Sequence, residues 1–157
     1  MKKIIIKYSF ILLSFAVITN IFGKYDIREI ERQVNYQFKR LKSSNDAVRM
    51  AAIRELSKIS HKKTLTPLIY ALNDKNVFIR TTACKALGDL AYNDAVKPLI
   101  RLLDIERELF VQKEALLALG KLGDERSRHI VNRFLKNNDI TLRNIAKKVL
   151  EQLDNRP

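Results

Sequence analysis

The chain contains the segment Val77-Phe78-Ile79-Arg80-Thr81-Thr82-Ala83-Cys84-Lys85-Ala86-Leu87-Gly88-Asp89-Leu90, and close copies of it recur at a fixed interval. In each copy an Arg or Gln follows a Val, Ile or Leu, and we call this Arg or Gln the head position. The heads are Arg49, Arg80, Gln112 and Arg143, separated by 31, 32 and 31 residues. A period in this range predicts a protein built from stacked structural repeats.

The spacing inside each copy indicates a helix with one buried face. The residue three positions after the head is always alanine, and large apolar residues stand one before, seven after and ten after it. These offsets lie on one side of a helix. We therefore predict that the alanines let neighbouring helices approach closely; they are Ala52, Ala83, Ala115 and Ala146.

The rest of the chain supplies a partner helix for each copy. Ile27, Ile30, Val34, Phe38 and Leu41 predict an amphipathic helix over residues 25–42. Shorter apolar runs precede the other copies, and their Pro67 and Pro98 fit the first turn of a helix. The predicted repeat helices cover about residues 47–60, 77–91, 109–122 and 140–153. The fold class is therefore all-α, an α-solenoid of about four stacked helical hairpins.

Polar turn residues mark the helix ends. Asn45 or Asp46 is expected to cap the first repeat helix, Asn93-Asp94 the short helix after the second copy, and Asn137-Asn138-Asp139 the last helix. Gly123 is expected to end the third repeat helix, since glycine adopts the left-handed conformation of a C-cap without strain.

Residues 1–23 differ from the repeat domain at residues 24–157. Lys2, Lys3 and Lys7 precede a nearly uninterrupted apolar run from Tyr8 to Phe22, as in a secretory signal peptide. The alternative is an uncleaved membrane anchor, because Ile4 to Phe22 spans 19 residues. Both interpretations place the repeat domain outside the cytoplasm. It would be periplasmic or extracellular, or held at the inner membrane by this segment alone.

The net charge limits the kinds of partner. The net charge is +13, of which +10 remains from Lys24 onward, and this favours acidic partners. The alternative is a soluble basic protein whose lysines only keep its surface hydrated.

The single cysteine, Cys84, excludes an intrachain disulfide and is expected to be buried four residues after its head.

The repeated motif resembles HEAT repeats, in particular the short HEAT-like repeats of the phycobilisome lyases. Ala86-Leu87-Gly88-Asp89-Leu90 and Ala118-Leu119-Gly120-Lys121-Leu122 match that pattern best, whereas Ser57 and Glu151 replace its glycine in the outer copies. The resemblance covers about residues 45–154 and implies that the head arginines bond to turns and neighbouring helices. The competing interpretation is an anion-binding row, which Gln112 interrupts.

Motifs for catalysis or for binding a metal or cofactor are missing from the sequence. His61 and His129 do not belong to the His-Glu pairs that metal-binding HEAT-repeat hydroxylases require, and the glycines form no phosphate-binding loop. Glu106 and Glu108 form an acidic turn better suited to capping than to catalysis. We therefore expect no enzyme activity, no cofactor and no metal. The alternative is an enzyme accessory factor or a lyase-like protein, by resemblance.

The expected function is an exported scaffold that binds a protein, preferably an acidic one, on a concave face lined by the second helix of each hairpin. Positions five and nine after the head point away from the buried face. The candidate binding residues at these positions are Arg54, Lys58, Lys85, Leu117, Lys121 and Lys148. Nucleic acid is disfavoured, since tryptophan is absent and these two rows carry no aromatic residue. The solvated-surface interpretation of the lysines also stands.

Overall fold

A computed structural model describes residues 27–155, which contain eight helices and no strand. The expected signal peptide or anchor at residues 1–23 lies outside this range. Helix α1 covers residues 27–40, and it is followed by α2 (Asp46–Lys58), α3 (Leu65–Ala71), α4 (Val77–Leu90), α5 (Val96–Ile105), α6 (Leu109–Leu122), α7 (Arg128–Phe134) and α8 (Ile140–Asp154). No helix within the described range is long and apolar enough to cross a membrane.

The helices form two layers, as a stacked-hairpin protein requires. The second helices pack side by side in the order α2, α4, α6, α8, and α3, α5 and α7 pack on the second helix of their own hairpin. Helix α1 lies in the same layer as α3, α5 and α7. The rings of Phe38 on α1 and Tyr70 on α3 meet edge to face, with 5.4 Å between their centroids. The all-α solenoid predicted from the repeat period is confirmed.

The core follows the repeated motif. The four alanines three residues after the heads are completely buried, together with Leu56, Leu87 and Leu119 seven residues after them. Cys84 is also completely buried. Burial raises the pKa of its thiol, because an apolar environment disfavours the charged thiolate. This cysteine is a small core residue rather than a nucleophile.

Two glycines set the distance between neighbouring second helices. Gly88 and Gly120 lie inside the last turns of α4 and α6 rather than beyond the ends of these helices, and both are buried. A Cβ atom on Gly88 would stand 2.8 Å from the Cα atom of Ala118. The close approach of α4 and α6 therefore requires glycine at this position.

The observed helix ends agree with most predicted caps. Asn45 accepts a hydrogen bond from the Ala47 N–H, Asp139 accepts one from the Leu142 N–H, and Gly123 ends α6 in the left-handed conformation. The predicted cap at Asn93-Asp94 is wrong, because Asn93–Ala95 forms a 3-10 turn with no side-chain cap. Ala91, expected to be the last residue of α4, instead follows the helix with a φ of 54°.

Similar 3-10 turns precede α3 and α7, at Lys62–Thr64 and Glu125–Ser127. The two buried hydroxyl groups in these turns donate to backbone oxygens three residues earlier, from Thr64 to His61 and from Ser127 to Asp124. These bonds satisfy polar groups that would otherwise be buried without a partner.

The head arginines connect consecutive turns. Arg49 donates to the carbonyl oxygens of Ser43 and Ser44 in the turn before its own helix, and Nε and Nη2 donate to both carboxylate oxygens of Asp74 in the next turn, at 2.6 and 2.9 Å. Arg80 repeats this arrangement with the carbonyl oxygen of Asp74 and with the carboxylate of Glu106. The implied structural role of the arginines is correct for both residues.

Among residues 27–155, the last two heads bond only to their own turns. Gln112 donates to the Glu106 carbonyl oxygen at 2.8 Å, and Arg143 donates to the carbonyl oxygens of Asn137 and Asn138. Arg49, Arg80, Gln112 and Arg143 therefore form what we call the turn ladder, which fixes each second helix to the turn before it.

Candidate partner-binding face

The exposed side of the second helices forms one continuous face. Four positions, two before the head and two, five and nine after it, fall within an arc of about 60° on an ideal helix. This arc lies opposite the buried alanines and leucines. On α4 it contains Phe78, Thr82, Lys85 and Asp89. The same positions on α2, α6 and α8 are neighbours across the layer, because the second helices pack side by side.

Neighbouring helices keep the same register on this face. Asp89, nine after its head on α4, accepts hydrogen bonds from Lys121, nine after its head on α6, and from Lys85 on its own helix. At the other end of α4, the hydroxyl of Thr82 lies 3.5 Å from the sulfur of Met50 on α2. Equivalent positions of α4 and α6 therefore stand side by side, and Thr82 on α4 contacts the residue one position earlier in the repeat on α2.

The predicted basic residues lie on this face, but several have acidic partners. Lys85 and Lys121 share Asp89, and Lys58 pairs with Glu55 at 2.7 Å. Burial opposes ionisation of Asp89, but hydrogen bonds from Lys121 and Lys85 outweigh it and lower the pKa of this carboxyl group. Among the described residues, no ion pair involves Arg54 or Lys148. These two exposed cations stand at opposite ends of the layer.

The face is still positive overall. Its four rows hold five cations and two carboxylates, Asp89 and Glu114, giving a net charge of +3. Leu117, expected to be an exposed apolar contact between the cations, is half-buried.

Two phenylalanines were missed as candidates. Phe78 and Phe110 stand two residues before their heads, on α4 and α6, and they are 70% and 67% exposed. Leu109 and Ile140, in the first turns of α6 and α8, are exposed as well. We call Phe78, Leu109, Phe110 and Ile140 the apolar ridge. The sequence carries a signal for these residues, because Phe78 and Phe110 share one repeat position and Leu109 and Ile140 share another, outside the rows five and nine after the head.

Other polar residues have structural partners. Burial opposes ionisation of Glu106, but hydrogen bonds from Arg80 and from the N–H groups of Glu108 and Arg107 lower the pKa of its carboxyl group. His61 accepts from the Lys63 N–H, and a ring nitrogen of His129 lies 3.0 Å from the Arg126 carbonyl oxygen. Residues 27–155 hold no group of three or more His, Cys, Asp or Glu side chains that could bind a metal ion.

The stacked hairpins and the turn ladder define the chain as an α-solenoid of helical repeats. Comparison with known families agrees: the model for HEAT repeats matches residues 37–108, and the model for the PBS lyase HEAT-like repeat matches residues 111–137. The chain is a HEAT-like repeat protein. No curated protein matches the sequence.

Solved structures with the same fold include enzymes, enzyme subunits and binding proteins. The complex of CpcE and CpcF of phycocyanin lyase from Nostoc sp. PCC7120 aligns with a TM-score of 0.68 and 24% identity over 86% of this chain and 57% of that one. Human deoxyhypusine hydroxylase aligns with a TM-score of 0.71 and 18% identity over 78% of this chain and 44% of the hydroxylase. At these identities the likeness concerns the fold.

A designed armadillo repeat protein in complex with the peptide (KR)4 aligns with a TM-score of 0.61 and 19% identity, over 74% of this chain and 62% of that one. The chain thus spans about half to three fifths of the length of these structures. The shared fold is one used by protein-interaction scaffolds, by a lyase subunit and by a hydroxylase.

Proposed function

We propose that this chain is an exported, non-enzymatic scaffold that binds an acidic segment of another protein on the face of its second helices. The observation that carries the proposal is the positively charged face, which crosses the four second helices and lies opposite the core. Extended surfaces of this kind suit a polypeptide better than a small molecule, since they offer many shallow contacts and no deep cavity.

The comparisons support a polypeptide partner. CpcE and CpcF form a complex with each other, and the designed armadillo protein holds a peptide of alternating Lys and Arg. That peptide is basic. The face of this chain is also basic and would repel such a peptide. The charge complementarity therefore favours an acidic segment for this chain.

The lyase similarity favours a second candidate, an accessory subunit of an enzyme. The same face would then bind the catalytic partner or its protein substrate. A non-catalytic role is favoured for this chain in either case, because Cys84 is buried and both histidines engage backbone groups at turns. The proposed export disfavours nucleic acid as a partner, since it would place this chain outside the cytoplasm.

Export remains part of the proposal because Lys2, Lys3 and Lys7 precede an apolar run. Fractionation of the source cells, followed by N-terminal sequencing of the native protein, tests it. Cleavage before Lys24 or a nearby residue supports a signal peptide, and an intact chain in the membrane fraction supports an anchor. Full-length protein in the cytoplasmic fraction contradicts both.

Charge reversal at Arg54, Lys85 and Lys148 tests the face. We expect Arg54→Glu, Lys85→Glu and Lys148→Glu together to weaken binding at low salt by roughly tenfold or more. Each exposed charge pair contributes only about 0.2–1 kcal/mol, so three reversals are needed for a clear effect. The partner is first captured with the full chain, and its dissociation constant is then measured by calorimetry.

A matched control separates the face from the total charge. Lys97→Glu, Arg101→Glu and Lys136→Glu change the net charge equally at exposed positions outside the second helices, two on α5 and one in the turn after α7. This variant should retain most of the affinity. Equal losses in both variants would show that only net charge matters. Full affinity in the Arg54, Lys85 and Lys148 variant would place the site elsewhere.

A further inference from the structure

The apolar ridge lies at one end of the positively charged face. Phe78 and Phe110 occupy the same position on adjacent helices, and the Asp89–Lys121 bridge shows that α4 and α6 are in register. Parallel helices packed this closely are about 8–10 Å apart. The two rings are therefore neighbours on one surface. Leu109 and Ile140, in the first turns of α6 and α8, are exposed as well, one residue earlier in the repeat and about 100° around their helices from the ring position.

The distance from the ridge to the lysines follows from helix geometry. Lys85 is seven residues after Phe78 on α4, and Asp89 with its partner Lys121 is four residues further. At about 1.5 Å per residue, the cationic row begins about 10 Å from the ring of Phe78 and extends to about 16 Å. An apolar strip and a cationic strip therefore run side by side across the second helices.

The exposure of the rings indicates that something covers them. Two phenylalanines in equivalent positions, each more than two-thirds exposed, leave a contiguous apolar surface in water. Such surfaces mark interaction sites, and aromatic side chains contribute a large share of interface energy. The helix before them has Asp46 and Ala47 at the corresponding positions, so the ridge begins at α4.

We propose that the ridge is the anchor of the binding face and that its partner is an amphipathic acidic protein segment. Apolar side chains of this segment pack on Phe78 and Phe110, and its carboxylates face Lys85, Lys121 and Lys148. This inference rests on the proposed function and assigns the anchor to the ridge instead of to Leu117. The segment crosses the second helices, because both strips run in that direction.

Neighbouring acidic residues favour a protein segment over an anionic membrane. Glu108 is exposed two residues before Phe110, Glu114 lies one turn after Phe110 on the same face, and Asp89 lies between Lys85 and Lys121. A broad negative surface would bring phosphates near all three carboxylates, whereas a peptide can place its acidic groups at the lysines only. The face therefore suits a discrete acidic segment.

The test uses a random linear peptide library displayed on phage and selected on the full chain at low salt. We expect the selected peptides to combine apolar and acidic residues. One synthetic peptide with their consensus is then titrated into the protein. The double variant Phe78→Ser with Phe110→Ser should raise the dissociation constant at least tenfold, as expected for anchor residues. Its thermal stability should change little, because both rings are exposed.

Controls distinguish this inference from the proposed function. Tyr36→Ser with Ile105→Ser removes equally exposed apolar groups outside the second helices and should leave affinity unchanged. If charge reversal at Arg54, Lys85 and Lys148 abolishes peptide binding but the double Phe variant binds normally, the ridge is not the anchor and the proposed function stands. If neither variant loses affinity, both proposals fail.

A vesicle assay completes the test. The inference would be overturned in favour of a membrane surface if the selection yields no consensus peptide and the protein instead binds phosphatidylglycerol vesicles through Phe78 and Phe110. Basic or purely apolar consensus peptides would also overturn it, because they would not require the cationic strip.

Discussion

Replacing Arg49 with alanine is expected to lower the free energy of unfolding by about 3–5 kcal/mol, because it leaves a buried carboxylate without its partner. The Arg49 side chain is 5% exposed and that of Asp74 is 9% exposed. Arg49 makes five hydrogen bonds, three of them to carboxylates of Asp46 and Asp74. Since domains of this kind are typically stable by about 5–15 kcal/mol, the variant would approach global unfolding.

Arg143→Ala is the matched control. It removes the head of another repeat, but within the described part of the chain Arg143 bonds only to two backbone carbonyl oxygens near the surface, so the expected loss is about 1–2 kcal/mol. Urea denaturation followed by circular dichroism at 222 nm, the usual helix signal, gives both values. Equal losses in the two variants would show that the bridge from Arg49 to the next turn adds nothing to the bond with its own turn.

The fold was predictable because the pattern of core residues recurs in four copies of the repeat. A single alanine in an apolar run says little, but Ala52, Ala83, Ala115 and Ala146 recur at one period and are all completely buried. The period also aligned the heads, and the resemblance of the aligned copies to HEAT-like repeats implied the structural role of the arginines. Local caps were less predictable, because Asn93-Asp94 has the composition of a cap but forms a 3-10 turn.

The contacts between consecutive repeats could not be predicted from the sequence of a single repeat. Gln112 interrupts the row of arginine heads, but its neutral side chain matches the neutral residue at the corresponding position of the next turn. Arg49 faces Asp74 and Arg80 faces Glu106, each six residues before the following head, while the residue six before Arg143 is Asn137. A neutral head thus precedes a turn with a neutral residue at the position that Asp74 and Glu106 occupy in the earlier turns. This correspondence emerges only when the turns are known to stack.

The candidate face was half predictable. Helical periodicity placed Arg54, Lys58, Lys85, Lys121 and Lys148 on the exposed side, as the structure has them. The pairing of Lys85 and Lys121 with Asp89 depends on the register of α4 against α6, which periodicity within one helix does not contain. Leu117 is half-buried for the same reason, since neighbouring helices decide how much of the row they cover.

Replacing Gly88 with valine is the second large destabilisation that we expect, about 3 kcal/mol, at the upper end of the range for overpacked cores. A Cβ atom on Gly88 would stand 2.8 Å from Ala118 Cα and 2.9 Å from Ala118 Cβ. A backbone atom cannot rotate away, so α4 and α6 would have to separate. At Gly120 the nearest atoms are Gln152 Oε1 at 2.8 Å and Val149 Cγ2 at 2.9 Å, both on side chains rather than on the backbone, and Gly120→Val should therefore cost less.

Ser57→Val tests whether this loss comes from packing rather than from placing a β-branched residue in a helix. Ser57 occupies the same repeat position on α2, but it is exposed and donates only to the Arg54 carbonyl oxygen. We expect its substitution to change the free energy of unfolding by less than about 0.5 kcal/mol. Thermal and urea denaturation of the three variants should rank Gly88→Val as the least stable, then Gly120→Val, then Ser57→Val. A Gly88→Val protein as stable as Ser57→Val would mean that α4 and α6 do not approach as closely in solution.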